Sequence, residues 1–402
     1  MSRWYNCLAV AIFVGTTIAT ASPGAAQQPI KIGDINSYSR FATFAVPYRN
    51  GMQLAIEQIN GSGGVIGRKF ELIWRDDNVS TADATRMADE LVSRENVDIL
   101  TGTLFSNVGV AVADFANQKK KLFMAAMPLT DVITMGSGNR YTFRLKANTF
   151  MLVSMLVDAI KDRGLKKWAI VAPNYEYGQS AAEAFKRLVK EKIPGAEIVA
   201  EQYPALGKID AGATVSALAE AKPEAIFCAL FASDVVQFYR EGSTRGLFEN
   251  RTVIDPILGE PEWLLPMKDE APEGWIVTGY PWDQLTQPAH QAFVDAYMKK
   301  FNESPRFSSL LGYSIAYMLR DAIAKANSAD TQALVAVLPG MSFELPVGRI
   351  VFRAVDHQAT FGTWVGTLAR KGAGFMMKDF NYADGANYLY PEAEAKAARK
   401  DQ

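Results

Sequence analysis

Cysteine and histidine are scarce in this chain: two of each in 402 residues. Cys7 lies in a leader expected to be removed, so Cys228 remains alone and the mature chain cannot form an intrachain disulfide. Stability must come from packing. Cys228 falls in the apolar run AIFCALF and reads as a buried, inert thiol. No cysteine cluster accompanies His290 or His357, so no zinc or other transition-metal site is expected. An excess of one charge is also missing. Against 42 Lys and Arg stand 43 Asp and Glu, and no basic block stands out. That speaks against nucleic-acid or membrane-surface partners. No Gly-x-Ser-x-Gly elbow or comparable nucleophile motif is present to partner His357, so Asp356-His357-Gln358 reads as a turn rather than as catalytic machinery.

The first 26 residues have the form of an export signal. Arg3 supplies the positive start, residues 8–18 are apolar or small, and Ala25-Ala26 offers a cleavage site. The apolar run is too short to span a bilayer, which takes about 20 residues. Cys7 precedes this run, whereas a lipid-bearing cysteine would follow it. The mature chain is long enough for two domains with sizeable cores.

Behind the signal, short β-type runs alternate with helical spacing. Strands are predicted at 30–35, 69–75, 98–101, 122–125, 168–173, 197–203, 225–230, 252–257 and 274–278. Amphipathic stretches lie between them at 81–94, 107–119, 150–163, 178–191, 212–221 and 233–245. This alternation with short connections predicts an α/β fold, with parallel sheets covered by helices on both faces. Two such series suggest two similar lobes. The charged, alanine-rich tail 392–402 reads as a frayed or disordered helix. The glycines in Gly61-Ser62-Gly63-Gly64-Val65-Ile66-Gly67 follow a helix and precede a strand. A dinucleotide fingerprint needs the reverse order, so they read as a helix cap and a turn.

Five segments, in order, carry a resemblance: IKIG at 30–33, GMQLAIEQINGSGGVIGRKFELIWRDD at 51–77, LVSRENVDILTG followed by Ser106, NYEYGQS at 174–180, and VGRIVFRAVDHQA at 347–359. Together they cover nearly the whole mature sequence. The chain resembles the bacterial periplasmic solute-binding proteins that include the leucine/isoleucine/valine-binding protein. These are type I two-lobe receptors serving ABC importers. Where many members have a Leu-Ser-Gly loop after the first strand, this chain has Ser37-Tyr38-Ser39-Arg40-Phe41.

The resemblance implies two doubly wound parallel-sheet lobes joined by three crossings: 27–144 with 279–345, and 145–278 with 346–402. It further implies a periplasmic protein, cleaved near Ala26 and acting as a monomer. Such a protein binds a small carboxylate without turnover or cofactor and delivers it to a membrane ABC permease. The ligand would be an apolar or branched-chain amino acid, or an aromatic acid. A secreted α/β hydrolase and a ligand sensor for a membrane receptor are the alternatives.

In open parallel sheets, ligands sit beyond the carboxyl ends of the strands. Ser106 suits an N-cap, and the amides of that first turn favour an anion. The resemblance places the matching serine on the ligand carboxylate. It gives the backbone of Ala126 and Met127 and the hydroxyl of Thr130 the same task, and it brings Tyr177 in from the second lobe. In amino-acid binders of the resembled family an acidic residue in the loop after 252–257 pairs with the ligand ammonium. The resemblance gives that place to Glu260, with Glu262 next, and a ligand amine would offset the cost of burying the carboxylate. Tyr38, Phe41, Phe105, Phe231, Tyr280 and Trp282 fall near predicted loop ends, where they would form an apolar wall. Arg40 could reach a carboxylate.

Overall fold

The computed structural model describes residues 1–2, 27–372 and 374–399. The expected signal, with Cys7 and the Ala25-Ala26 cleavage site, falls on residues outside the described ones. Among the described residues, no helix is long and apolar enough to cross a membrane.

The first sheet is built from β1 (Ile30–Asn36), α1 (Ala42–Gly61), β2 (Phe70–Asp76), α2 (Thr81–Ser93), β3 (Ile99–Gly102), α3 (Ser106–Lys119), β4 (Leu122–Ala125) and β5 (Thr142–Arg144). Its five strands run parallel in the order β2-β1-β3-β4-β5. Strands buried on both faces need apolar residues at nearly every position, and β3 and β4 (ILTG, LFMA) are buried throughout. The chain then crosses into α4 (Thr149–Ile160), β6 (Lys167–Val171), α5 (Glu176–Lys192), β7 (Glu197–Gln202), α6 (Ala211–Glu220), β8 (Ala225–Cys228), α7 (Ala232–Thr244), β9 (Thr252–Gly259), α8 (Pro261–Met267) and β10 (Ile276–Gly279). Side-chain caps set several helix starts. Ser80, Asn148 and Asp210 accept from Asp83 N (3.2 Å), Met151 N (2.8 Å) and Ala213 N (2.9 Å).

Next come α9 (Pro288–Phe301), α10 (Phe307–Ala326), α11 (Thr331–Val337), the hairpin β11 (Ser342–Leu345) and β12 (Gly348–Val351), β13 (Thr363–Lys371), β14 (Gly374–Ala383) and α12 (Glu392–Ala398). The second sheet has the order β14-β13-β10-β9-β8-β6-β7. It is parallel except at β13 and β14, which pair antiparallel. These last four strands and the three-residue β5 are absent from the sequence expectation. The tail is not frayed where it is described. Arg187 holds Glu394 through both carboxylate oxygens, Phe150 stacks on Tyr390 at 3.9 Å, and Ala395 is fully buried. The glycine turn after α1 is a cap and a bend: Gly63 and Gly64 take φ of +102° and +81°.

The late helix α10 returns to the first sheet and packs on α1, and the contact is glycine-made. A Cβ on Gly51 would lie 1.9 Å from Ser309 O, and one on Gly312 would lie 2.1 Å from Tyr48 O. Both obstacles are backbone, so neither can swing aside. Tyr48 in turn hydrogen-bonds Thr101 on β3 at 2.8 Å, which ties the helix pair to the sheet. Gly312→Ala should therefore force the helices apart, at a cost of about 3 kcal/mol. A thermal unfolding midpoint lowered by roughly 5 °C or more is the expected reading. An unchanged midpoint would show that the helices do not meet this closely.

Candidate functional site

Loops from both sheets converge on one apolar cavity at the carboxyl ends of the strands. Leu104, Phe105 and Ser106 follow β3, Met127 and Leu129 follow β4, and Phe44 comes from α1. Facing them are Tyr175 and Tyr177 at the start of α5, Phe231 after β8, and Ile257, Glu260 and Trp263 in and after β9. Lys146 stands between β5 and α4. The cavity has an empty volume of about 410 Å³. Aromatic rings form most of the wall. Trp263 lies 4.2 Å from Phe44 and 5.2 Å from Phe231, and Phe231 lies about 6 Å from Tyr175 (6.1 Å) and Tyr177 (6.0 Å).

Two polar poles interrupt this wall. At the first, Ser106 is not the N-cap of α3 but its first residue. Phe105 holds the cap position and makes no side-chain capping bond. Ser106 Oγ accepts from Leu129 N at 3.3 Å and Thr130 N at 3.1 Å. Two amides on a hydroxyl leave its O–H to donate, and no acceptor for it is found among the described residues. The uncapped amides of α3 add positive partial charge at the same place.

At the second pole Lys146 Nζ meets Glu260 Oε1 at 2.5 Å, with side chains 7% and 4% exposed. Glu260 therefore already has the cationic partner that the sequence reading left to a ligand. Burial nonetheless pushes its carboxyl up to about 7, against the opposing pull of Lys146. Behind it, Asp255 is pushed up to about 8 by burial, although Ile257 N (2.9 Å) and Leu258 N (2.8 Å) both donate to it. Cys228, Glu260 and Tyr177 are among the titratable groups near Asp255. Tyr177 Oη and Trp263 Nε1 are buried without a hydrogen-bond partner among the described residues.

Direct contacts bridge the two sides of the cavity. Thr130 Oγ1 donates to Glu176 on α5 at 2.6 Å, and Ser180 Oγ donates to Asp131 at 3.0 Å. On the other flank, Glu262 of α8 accepts from Ser308 N (2.7 Å) and Phe307 N (3.3 Å) at the start of α10. The crossings are stitched as well. Arg144 donates to Gln358 Oε1 (2.6 Å), Thr134 Oγ1 (2.7 Å) and the Thr130 carbonyl, and Gln358 Nε2 donates to Lys146 O at 3.0 Å.

The structure brings Phe105, Ser106, Met127, Tyr177, Phe231 and Glu260 together on the cavity. Other expected residues lie elsewhere. Ala126 gives its amide to Gly102 O as part of the sheet, and Thr130 spends its hydroxyl on Glu176. Tyr38 turns inward and donates to Asp34, with its ring against Trp74. Trp282 sits in a short 3-10 turn after β10, and Tyr280 pairs with His290 at 2.5 Å. Glu262 caps α10 rather than facing a ligand. Phe41 and Arg40 line the outer mouth, where Phe41 packs on Phe105 at 4.8 Å. His357 stacks on Phe143 at 4.1 Å, away from the cavity lining. Sequence reasoning missed the aliphatic Leu104, Leu129 and Ile257 as well as Phe44, Lys146, Tyr175 and Trp263. Tyr175 lay within the NYEYG motif; Phe44, Lys146 and Trp263 carried no local signal.

Two α/β lobes that close their strand-end loops over a shared cavity define a two-lobed solute receptor. The family profile described as periplasmic binding protein matches residues 29–373, and the chain belongs to that family. Leu/Ile/Val-binding protein homolog 7 of Brucella suis biovar 1 is 29% identical over 354 residues, which cover 83% of this chain and 86% of the relative. The leucine-, isoleucine-, valine-, threonine-, and alanine-binding protein of Pseudomonas aeruginosa is 24% identical, over 88% of this chain and 91% of its own. A solute binding protein of an ABC transporter from Rhodopseudomonas palustris BisB5, solved in complex with 3,4-dihydroxy benzoic acid, superposes with a TM-score of 0.79 at 25% identity. That match covers 89% of this chain and 98% of the other.

The raised carboxyls make stability depend on pH. Between its ordinary value of 3.8 and about 8, folded Asp255 holds a proton that the unfolded chain has released. Stability from this group is thus complete at low pH and is lost as pH rises through that window. Asp34, pushed up to about 7 by burial in the first lobe, and Glu260 act in the same direction. The unfolding midpoint should fall from pH 5 to pH 8.5. Asp255→Asn keeps the acceptor for both amides and should remove part of that fall. A midpoint for this variant that tracks the parent at every pH would place the Asp255 titration elsewhere.

Proposed function

We propose that this chain is the substrate-binding component of an ABC importer. It is exported, cleaved near Ala26, and captures a small carboxylate with an apolar body. The candidate ligands are an apolar or branched-chain amino acid and an aromatic acid, the classes named for the Pseudomonas and Rhodopseudomonas relatives. Residues 27–144 with 279–345 form one lobe, and 145–278 with 346–402 form the other. Ligand between them draws the hinge closed, and a membrane permease reads the closed form. The chain acts as a monomer, binds without turnover and uses no cofactor.

One observation carries this reading. The Ser106 O–H, its lone pairs already engaged by two amides, opens on an apolar cavity at the uncapped end of α3. A carboxylate oxygen satisfies that donor and the helix amides at once. The ring-lined remainder suits an apolar body. Phe105, Met127, Phe231 and Tyr177 contribute to that wall.

A ligand that binds only the folded chain raises its unfolding midpoint. Screening apolar amino acids and aromatic acids should find a stabilising set. Ser106→Ala should then weaken the best of them by about 10-fold or more, the worth of one hydrogen bond to a charged group. No stabilisation by any carboxylate, or undiminished affinity in the variant, would falsify the carboxylate site.

A further inference from the structure

The same cavity narrows its ligand further. Resting on the carboxylate reading above, we propose that the pocket selects an aromatic acid that lacks a free α-amine and carries an oxygen substituent on its ring. The Lys146–Glu260 pair and the Trp263 indole make the selection.

The pair excludes the amine. An amino acid presents an ammonium that must be met by an anion once water is gone. The acid lining the cavity beside the rings is Glu260, and Lys146 holds it at 2.5 Å. A ligand ammonium would have to displace Lys146, whose side chain is 7% exposed and would be left as an unpaired buried cation. Breaking such a pair from one side carries a heavy penalty, worth about 100-fold or more in affinity. If the ammonium does not displace Lys146, it confronts a like charge in a dry space. A ligand with no amine meets neither obstacle, because the pair is already neutral as a unit.

The ring oxygen answers a different vacancy. Trp263 lines the cavity at 9% exposure and Tyr177 at 2%, yet Trp263 Nε1 and Tyr177 Oη find no hydrogen-bond partner among the described residues. An indole N–H can only donate. A purely hydrocarbon ligand would seal both groups away unsatisfied, whereas an oxygen with a free lone pair accepts from one or both. Both rings pack against Phe231, at 5.2 and 6.0 Å between centroids. The carboxylate then takes the Ser106 pole, the ring lies among Phe44, Phe105, Tyr175 and Phe231, and the ring oxygen faces Tyr177 and Trp263.

Titration calorimetry of the mature chain with benzoate, 3-hydroxybenzoate, 4-hydroxybenzoate, L-phenylalanine and L-leucine tests this directly. A hydroxybenzoate should bind at least 10-fold more tightly than benzoate and about 100-fold more tightly than either amino acid. Trp263→Phe, which removes the indole N–H, should lower the hydroxybenzoate-to-benzoate ratio at least several-fold, whatever it does to the affinity for benzoate itself. Equal affinity of the parent chain for benzoate and both hydroxybenzoates overturns the inference, as does tighter binding of leucine or phenylalanine. Those outcomes leave the carboxylate site standing. Failure of all five compounds, and of further carboxylates, removes the site itself. The parent ratios are decisive even if the variant does not fold.

Discussion

Lys146 and Glu260 meet where water is excluded, on a cavity that is otherwise aromatic. Taking two charges out of water is expensive, and only close contact with good geometry offsets it. That condition constrains the surrounding structure. Lys146 must leave the first crossing at a fixed angle, and Glu260 must sit at the start of α8, immediately after β9. Neither sheet alone can supply both partners. Placed this way, the pair neutralises the cavity without ligand, and the aromatic side chains can pack against one another around it.

The cavity is also held by contacts the protein makes with itself. Glu262 receives two amides of α10, while Thr130 and Asp131 engage Glu176 and Ser180. All of these hydrogen bonds run between elements on opposite sides of the cleft, so opening it would expose their partners to water. Closure therefore has favourable terms independent of cargo. A ligand shifts such an equilibrium only by its differential affinity for the two forms. A ligand held between the two sets of loops would meet Tyr175, Tyr177, Phe231 and Trp263 only when they are brought against Phe105 and Ser106, as they are here. Strong clasps make the closed state accessible; they cannot by themselves report that the site is filled.

Much of this was legible in the sequence. Buried parallel strands require continuous apolar runs, and those runs located the nine strands expected through β10. The rule that ligands lie beyond strand ends then led to Phe105, Ser106, Met127, Tyr177, Phe231 and Glu260. What escaped has physical reasons. β5 is three residues long, too short for any periodicity. Lys146, between TFRL and the α4 cap, looks like an ordinary solvated lysine until Glu260 is brought to it across 114 positions. Trp263 lies in a seven-residue helix with no readable pattern. Tyr38 sits at a loop end as expected, but buried Asp34 draws its hydroxyl inward. Thr130 is one step past the cavity, because its amide serves Ser106 while its hydroxyl serves Glu176. Each of these turns on a long-range partner, which local sequence does not specify.

The hinge and the charged pole share a segment. Arg144 ends β5, and its guanidinium, pushed down to about 10 by burial, is spread over three acceptors, Thr130 O, Thr134 Oγ1 and Gln358 Oε1. Two residues on, the Lys146 carbonyl accepts from Gln358 while its ammonium enters the cavity. Arg144 N and O also exchange hydrogen bonds with His357 O (3.1 Å) and Ala359 N (2.9 Å). The crossings are thus bound to each other more firmly than a pair of loose linkers would be. A chain without disulfides needs this, since two lobes on slack tethers would lose the cavity geometry with every opening. Lys146 therefore joins the charged pole to the Arg144–Gln358 hydrogen-bond network through one residue, its ammonium on Glu260 and its carbonyl on Gln358.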